Sequence, residues 1–305
     1  MKSIEFRPVS QFFVATVETA GDTAAAAVTD EAVYPLLDAP DVGPMLEQWD
    51  LWLDRIDGLV DRGELGAGIP LGEARLLAPL PRPPNLYMAG ANYADHTREM
   101  HGLAPGAVVP KPVAGPFVFL KPTTTVVGDR APVLLGPGCE KVDWEVELAV
   151  VIGRRAHRVS AGQALAHVAG YTVANDVSVR DRFRREGMEP PMTFDWFAQK
   201  GWEASCPLGP WLLPARDCPD PGDLALSLTV NGELEQCSRT SEMIFSVEEQ
   251  IEYLSSIVPL VPGDVICTGT CAGVGMAKDR FLRAGDVVVA EIEGIGRLEN
   301  PVVRA

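Results

Sequence analysis

The stretch that decides the fold runs from Val142 to Asp181 and reads VDWEVELAVVIGRRAHRVSAGQALAHVAGYTVANDVSVRD. At its start, apolar and acidic residues alternate, and a period of two predicts a strand whose side chains point to alternate faces. Glu145 and Glu147 therefore point the same way. The strand continues into Ala149–Ile152, a run that indicates burial on both faces.

The rest of this stretch predicts a short helix and a second strand. Ser160 and Gln163 match the capping-box pattern, which indicates a helix of about two turns through Val168. The apolar run 169–174 then predicts a strand that ends at Asn175-Asp176. Asp176 is a third carboxylate that this arrangement would bring close to the first two.

Two interpretations of these acids remain open at this point. A half-buried strand with a solvated acidic face is one of them. The other is a metal site, because two ionised carboxylates 4 Å apart repel by about 4 kcal/mol at an effective dielectric near 20. A set of oxygen ligands without cysteine or histidine favours Mg²⁺ or Mn²⁺ over zinc.

Composition limits the classes of function. The 305 residues carry a formal net charge of −16, which argues against nucleic acid as a partner. No apolar run reaches the ~18 residues that span a bilayer, so no membrane association is expected. The N-terminal segment MKSIEFRPVS lacks the apolar core of a signal peptide. The six cysteines show no C-x-x-C spacing, and reduced thiols in a cytoplasmic protein account for them.

The chain divides into two predicted units. Residues 1–82 form a small N-terminal α+β domain, whose helix from Asp41 to Arg62 carries one apolar stripe. A proline-rich linker at 79–84 ends this unit. Residues 83–305 form the second unit, and its many strands and few short helices predict an α+β fold with a sheet-rich core.

A second candidate site lies on the short predicted helix after Gly90. His96 and Glu99 are spaced i,i+3, which places them on one helix face. A carboxylate bound to one imidazole nitrogen makes the other nitrogen a better general base. An ordinary surface ion pair is the alternative interpretation.

Several motifs in the same order resemble the fumarylacetoacetate hydrolase family over roughly residues 84 to 303. They are GANYADH (90–96), FLKP (119–122), VDWEVELAVVIG (142–153), AGYTVANDVSVRD (169–181), CPLGPW (206–211), TSEMIFSVEEQIEYLS (240–255), PGDVICTGTCAGVG (262–275) and EIEGIGRLENPV (291–302). The resemblance implies a mixed β-roll with a smaller N-terminal part, a homodimer, and one Mg²⁺ or Mn²⁺ ion per subunit.

The resemblance also implies roles for individual residues. The metal ligands would be Glu145, Glu147 and Asp176, and the catalytic residues would be His96 and Glu99 as a base pair together with Lys200. The substrate-binding residues would be Arg180, Thr270, Gly269 and Tyr93. The chain departs from the family pattern at Gly201-Trp202-Glu203 and at Cys271, and in a long segment, 182–199, that is expected to line the distal end of the substrate.

The function that the resemblance implies is hydrolytic C–C cleavage of a β-diketo acid, such as an acylpyruvate or a 2,4-diketo-3-deoxy acid. The substrate would be a small anionic keto acid that reacts through an enolate stabilised by the metal. The same chemistry leaves open an oxaloacetate decarboxylase or tautomerase, a 2-hydroxy-diene-dioate isomerase and a 2-keto-3-deoxy acid dehydratase. A catalytically silent dimeric scaffold is a further alternative.

Overall fold

The protein is described by a computed structural model over residues 10–305. The signal-peptide expectation rests largely on residues 1–9, which lie outside the described residues. In chain order the strands are β1 (Phe13–Glu18), β2 (Thr23–Val28), β3 (Ala32–Leu36), β4 (Ile69–Pro70), β5 (Leu76–Leu77), β6 (Leu86–Gly90), β7 (Phe117–Leu120), β8 (Val126–Val127), β9 (Val133–Leu135), β10 (Val142–Asp143), β11 (Val146–Ile152), β12 (Val168–Asn175), β13 (Ser178–Val179), β14 (Cys206–Pro214), β15 (Ala225–Val230), β16 (Glu233–Arg239), β17 (Val265–Thr270), β18 (Val287–Ile292) and β19 (Gly296–Arg304).

The α-helices are few and mostly short, as the sequence predicts. In chain order they are α1 (Val42–Met45), α2 (Trp49–Asp61), α3 (Ala94–His101), α4 (Ala161–Ala164), α5 (Trp196–Lys200), α6 (Val247–Ile257) and α7 (Gly275–Lys278). None of these described helices combines the length and the apolar character that crossing a membrane requires.

Most strands join one large sheet. Its order is β4-β3-β2-β1-β14-β12-β11-β17-β6-β7, with β5 added to β1 and β8 added to β14. A second sheet has the order β16-β15-β18-β19-β9, and β10 pairs with β13. Parallel pairs such as β17 with β6 occur among antiparallel ones, so the sheets are mixed. The predicted sheet-rich α+β fold is confirmed.

Strand β11 is buried on both faces because it separates two hydrophobic clusters. Val146, Leu148 and Val150 pack in one cluster. Ala149 and Val151 pack in the other. The alternation that the sequence shows is therefore real, but it sorts side chains between two cores rather than between core and solvent.

The predicted helix 41–62 forms as three consecutive pieces: α1, a 3₁₀ turn at Leu46–Gln48, and α2. Asp41 caps the first piece, since its Oδ1 accepts the backbone N–H of Gly43 at 2.7 Å. Strands on either side of residue 82 share the large sheet, and the division into two domains stays a prediction.

One of the local predictions was wrong. Ser160 donates its hydroxyl to Gln163 Oε1 (3.0 Å) and accepts no backbone N–H, so no capping box forms at α4. Glu252 of α6 takes this role, because it accepts the backbone N–H of Ala161 at 3.0 Å. A tertiary contact has replaced the local one.

Gly170 in β12 is a site where the fold allows no side chain. A Cβ there would overlap the carbonyl oxygen of Leu213 on β14 and lie 2.8 Å from Leu212 Cγ. We expect Gly170→Ala to lower the free energy of unfolding by about 2 kcal/mol or more, because backbone cannot move aside cheaply. Chemical denaturation measures this.

The matched control is Gly162→Ala in α4, where a Cβ meets no atom within 4 Å. We expect its stability to be unchanged or slightly raised, since alanine favours helix over glycine by up to about 1 kcal/mol. Equal stability of the two variants would contradict the packing that the structure gives to Gly170.

Candidate metal centre and catalytic site

The two central strands bring three carboxylates together. Strand β11 runs antiparallel to β12 in a register that pairs Val146 with Asn175. Glu145, directly before β11, and Glu147, its second residue, therefore meet Asp176, which directly follows β12. The backbone N–H of Asp176 donates to the carbonyl oxygen of Glu145 at 2.9 Å, which fixes this corner. One carboxylate oxygen from each of the three lies within 4.8 Å of the others.

Burial decides between the two interpretations of these acids. Glu145, Glu147 and Asp176 are only 6%, 1% and 1% exposed. A solvated acidic face is therefore excluded. Buried ionised carboxylates at this separation need positive charge nearby, since their mutual repulsion is not screened by water.

Two buried lysines supply part of that charge. Lys200, at the end of α5, donates from Nζ to Glu145 Oε2 (2.8 Å) and to Asp176 Oδ2 (2.6 Å). Lys121, just after β7, donates to Asp176 Oδ1 (2.6 Å) and to the carbonyl oxygens of Val177 and Ser205. Both lysines are almost fully buried.

Arg180 links the cluster to a fourth carboxylate. Its Nη2 donates to Glu145 Oε1 at 2.5 Å, and its Nε donates to Asp143 Oδ2 at 2.8 Å. Asp143 also accepts the backbone N–H groups of Gly275 (2.6 Å) and Met276 (3.0 Å). Asp143 is thus held between Arg180 and the first turn of α7.

The acids differ in electrostatic environment. Burial raises the pKa of Glu145, but the nearby ammonium of Lys200 and guanidinium of Arg180 outweigh it and lower that pKa to about 2. Burial, together with the carboxylates of Asp176 and Glu145, raises the pKa of Glu147 well above its ordinary value. Glu147 is therefore the member of the cluster whose charge is least compensated.

The structure supports a hard divalent cation at this point. The hydrogen bond that Glu147 accepts comes from the backbone N–H of Gly269 at 2.8 Å, and no ion pair among residues 10–305 includes its carboxylate. The donor set is oxygen only, which suits Mg²⁺ or Mn²⁺. A dication would supply the positive charge that Glu147 lacks.

His96 and Glu99 face each other on α3, as the spacing predicts, while their role as a base pair stays a prediction. His96 Nδ1 lies 3.5 Å from Glu99 Oε2, with His96 buried and Glu99 half-buried. Glu99 also accepts the backbone N–H of Gly273 at 3.0 Å, so the loop after β17 holds its carboxylate. Burial raises the pKa of Glu99, but its contacts with His96 and Gly273 lower it overall, which keeps the carboxylate ionised.

A cavity of about 100 Å³ joins His96 to Glu145 and Asp176 of the acid cluster, while Glu99 and Glu147 lie outside its lining. A larger cavity of about 630 Å³ lies beside α2 and contains no residue of the cluster. The polar lining of the smaller cavity consists of His96, Glu145, Asp176, Arg180, Lys200 and Thr270.

The remaining residues that were predicted to bind substrate do not all line the cavity. Thr270 lines the cavity and donates its hydroxyl to the carbonyl oxygen of Val146 at 2.9 Å. Gly269 acts through its backbone N–H on Glu147, and its φ of +97° is one that a side chain would strain. Tyr93 is fully buried and lies outside the cavity lining.

Sequence reasoning missed two residues that the cluster depends on. Lys121 stands in the FLKP motif, and a lysine directly after a strand so rich in apolar residues was the available signal. Asp143 stands in the acidic alternation but two residues before the first expected ligand. Its partners, Arg180 and the turn at Gly275, lie far away in sequence, so nothing local marks it.

The sheet-rich fold carries a buried carboxylate cluster that could hold a metal ion, and comparison with known proteins identifies the family. The family model described as fumarylacetoacetate (FAA) hydrolase C-terminal matches residues 85–303. The chain belongs to the fumarylacetoacetate hydrolase family, and it is an enzyme of that family.

Three relatives illustrate the similarity. The mitochondrial oxaloacetate tautomerase FAHD2B of Bos taurus is 44% identical over 238 residues, 77% of this chain and 71% of that protein. The crystal structure of 2-hydroxyhepta-2,4-diene-1,7-dioate isomerase from Mycobacterium marinum is 34% identical, covers 96% of this chain and 98% of its own, and has a TM-score of 0.73. Maleylpyruvate hydrolase from Sphingobium sp. SYK-6 is 26% identical, covers 96% and 100%, and has a TM-score of 0.78.

The same Sphingobium protein has also been solved in complex with manganese(II) ion and pyruvate, with a TM-score of 0.77 at 24% identity, which supports the fold. The fold predicted from the family resemblance is thus confirmed. A cytoplasmic location stays a prediction, since the Bos taurus relative is mitochondrial.

Glu147→Gln tests the metal centre through two quantities, the affinity for Mn²⁺ and the unfolding temperature of the metal-free protein. The amide keeps an acceptor for the N–H of Gly269 but removes a buried negative charge. We expect Mn²⁺ affinity to fall at least about tenfold, since a charged ligand is lost. We expect the unfolding temperature of the metal-free protein to rise. Calorimetric titration and thermal unfolding in EDTA measure the two effects.

Glu235→Gln is the matched control. Glu235 is a buried carboxylate outside the cluster and pairs with Lys278 and Arg280. Its replacement should lower the unfolding temperature and leave Mn²⁺ affinity unchanged. Wild-type Mn²⁺ affinity in Glu147→Gln would remove Glu147 from the proposed ligands.

Proposed function

We propose that this protein is a divalent-metal-dependent hydrolase that cleaves a C–C bond in a small anionic β-diketo acid of the acylpyruvate type. The observation that carries the proposal is the shared cavity, which is lined by His96 and by Glu145 and Asp176, two members of a buried carboxylate cluster suited to a hard cation. Glu99 lies behind His96, 3.5 Å from its Nδ1. Water activation and charge stabilisation are thereby available at one place.

Glu145, Glu147 and Asp176 would hold the Mg²⁺ or Mn²⁺ ion. When bound, the ion would act as a Lewis acid that withdraws electrons from the carboxylate and 2-oxo group of the substrate, which stabilises the enolate of the leaving pyruvate. Arg180 would help to orient the substrate carboxylate in the cavity. Thr270 lines the same cavity, and its hydroxyl would have to turn away from the carbonyl oxygen of Val146 to donate to the substrate. Gly269 contributes through the position of Glu147.

His96 would remove a proton from the attacking water. Glu99 Oε2 lies 3.5 Å from Nδ1 of the imidazole, and a hydrogen bond formed there in the reacting enzyme would leave Nε2 as the basic nitrogen. The water oxygen bonds to the distal acyl carbon, and the bond between this carbon and the pyruvate methylene then breaks. The electron pair leaves with the pyruvate fragment, which takes up a proton. Lys200 would donate a hydrogen bond to the oxyanion that forms at the acyl carbon.

A second candidate is keto–enol tautomerisation of oxaloacetate. It is favoured by the Bos taurus relative, which bears that activity in its name and is 44% identical over 238 residues. The same residues would serve, because His96 would then move a proton between carbon and oxygen instead of activating water. Isomerisation of a 2-hydroxy-diene-dioate, the activity named for the Mycobacterium marinum structure, uses the same proton transfer.

Product analysis separates these reactions. We expect Mg²⁺- or Mn²⁺-loaded protein to convert an acylpyruvate into a carboxylic acid and pyruvate in equal amounts, without CO₂. Loss of the enol absorbance of oxaloacetate with no cleavage of any acylpyruvate would instead establish the tautomerase. A non-catalytic scaffold would catalyse neither reaction and need not bind one Mn²⁺ ion per subunit.

The homodimer that the family resemblance implies stays part of the proposal. Light scattering measures the mass of the assembly in solution.

His96→Ala tests the base. We expect kcat to fall by about 10²-fold or more, since a positioned general base contributes at least that much. Mn²⁺ affinity should stay within about twofold by calorimetric titration, because His96 is not among the proposed ligands. His101→Ala on the same helix, at an exposed position, should keep full activity. A fully active His96→Ala enzyme would remove the base pair from the mechanism.

A further inference from the structure

Part of the cavity wall takes no part in the chemistry described above. Apart from small residues and the polar groups, the lining consists of Met100 on α3, Phe119 on β7 and Trp196 at the start of α5. These are large apolar side chains. They contact the same cavity as His96 and the acid cluster, so a substrate held by its oxo-acid end must place its remaining atoms near them.

The apolar wall continues outward as a series of aromatic rings. The centroids of Phe119 and Trp196 are 5.2 Å apart, and those of Phe117 and Trp196 are 5.1 Å apart. Phe117 is 52% exposed and Met100 is 50% exposed, so the wall reaches the surface. The cavity of about 100 Å³ is small, so a longer substrate arm has to follow this wall towards solvent.

The cations of the lining are already paired. Lys200 bridges Glu145 and Asp176, and Arg180 bridges Glu145 and Asp143. The other arginines of the nearby segment, Arg182, Arg184 and Arg185, do not line the cavity. Within the cavity lining, a negative charge on a substrate arm would therefore find aromatic rings and no unpaired cation, and Arg184 lies farther out, over the ring of Phe194.

A charge count leads to the same conclusion. The cluster contains four carboxylates (Asp143, Glu145, Glu147 and Asp176) and three cations (Lys121, Arg180 and Lys200), which leaves one negative charge. A divalent ion changes the charge of these seven groups to one positive charge, which one substrate carboxylate cancels. Glu99 adds a further negative charge, which protonation of His96 would at most cancel. A second substrate carboxylate would therefore leave an uncompensated negative charge in a largely buried site.

We propose that Met100, Phe119 and Trp196 form an acyl subsite that selects an apolar alkyl or aromatic acyl group and rejects an arm that ends in a second carboxylate. This inference rests on the proposed function and names its substrate class. It favours acylpyruvates with an apolar acyl group over oxaloacetate and other dicarboxylates.

Three unreactive oxamates test the subsite by binding rather than turnover. Oxamate carries the oxo-acid end alone, N-benzyloxamate adds an apolar arm, and N-oxalylglycine adds an arm of the same linkage that ends in a carboxylate. By calorimetric titration of Mn²⁺-loaded protein, we expect N-benzyloxamate to bind at least about tenfold more tightly than N-oxalylglycine, since burying a phenyl ring is favourable and an unpaired carboxylate is not.

Single substitutions test whether the residues of the apolar wall cause this difference in affinity. Trp196→Ala should lower the affinity for N-benzyloxamate about tenfold and leave that for oxamate within about twofold. Phe197→Ala is the matched control, because Phe197 is the next residue of α5, is 70% exposed and does not line the cavity. Met100→Lys places a cation in the wall and should reverse the preference towards N-oxalylglycine, which keeps the test decisive if Trp196→Ala folds poorly.

The outcomes are distinguishable. If oxamate itself fails to bind the Mn²⁺-loaded protein, the proposed function fails and the inference fails with it. If oxamate binds but N-oxalylglycine binds as tightly as N-benzyloxamate, the subsite alone is wrong. Equal losses in Trp196→Ala and Phe197→Ala would also overturn it.

Discussion

The structure depends on neutralising carboxylates that the central strand pair forces out of water. The antiparallel register of β11 and β12 places Glu145, Glu147 and Asp176 at one buried corner, where repulsion would oppose folding. Lys121 and Lys200 arrive from the ends of β7 and α5, so two separate segments are needed to complete the corner. The strand pairing thus creates one electrostatic requirement, and the positions of the lysines and the ability to hold a dication both answer it.

The sequence predicts those parts of the site that local patterns encode. Period-two alternation identified the two glutamates, and i,i+3 spacing identified His96 and Glu99, because both patterns are set by backbone geometry alone. Local patterns fail where a distant segment supplies the partner. Ser160 lost its capping role to a glutamate of α6, and Asp143 gained its importance from contacts with α7, and neither contact leaves a trace in the neighbouring sequence.

In the proposed mechanism, one group of cavity residues carries out the chemistry and a different group selects the substrate. The residues that handle charge come from strand ends and from two short helices, and they are paired with one another before any substrate arrives. Phe119 and Trp196 belong to β7 and α5, the same two elements that precede or carry the buried lysines. Substitutions in this wall can thus alter the acceptable acyl group while the charged residues stay unchanged, which suits a fold whose relatives bear the names of several reactions.

Strand β14 shows what the N-terminal segment contributes to the molecule as a whole. One edge of β14 pairs with β12, and the other pairs with β8 at Cys206–Pro207 and with β1 through Val14 and Leu212. Without β1, the second half of this edge would present unpaired amide and carbonyl groups to other chains, a recognised route to aggregation. By pairing with β14, β1 leaves less of this strand free to pair with other chains.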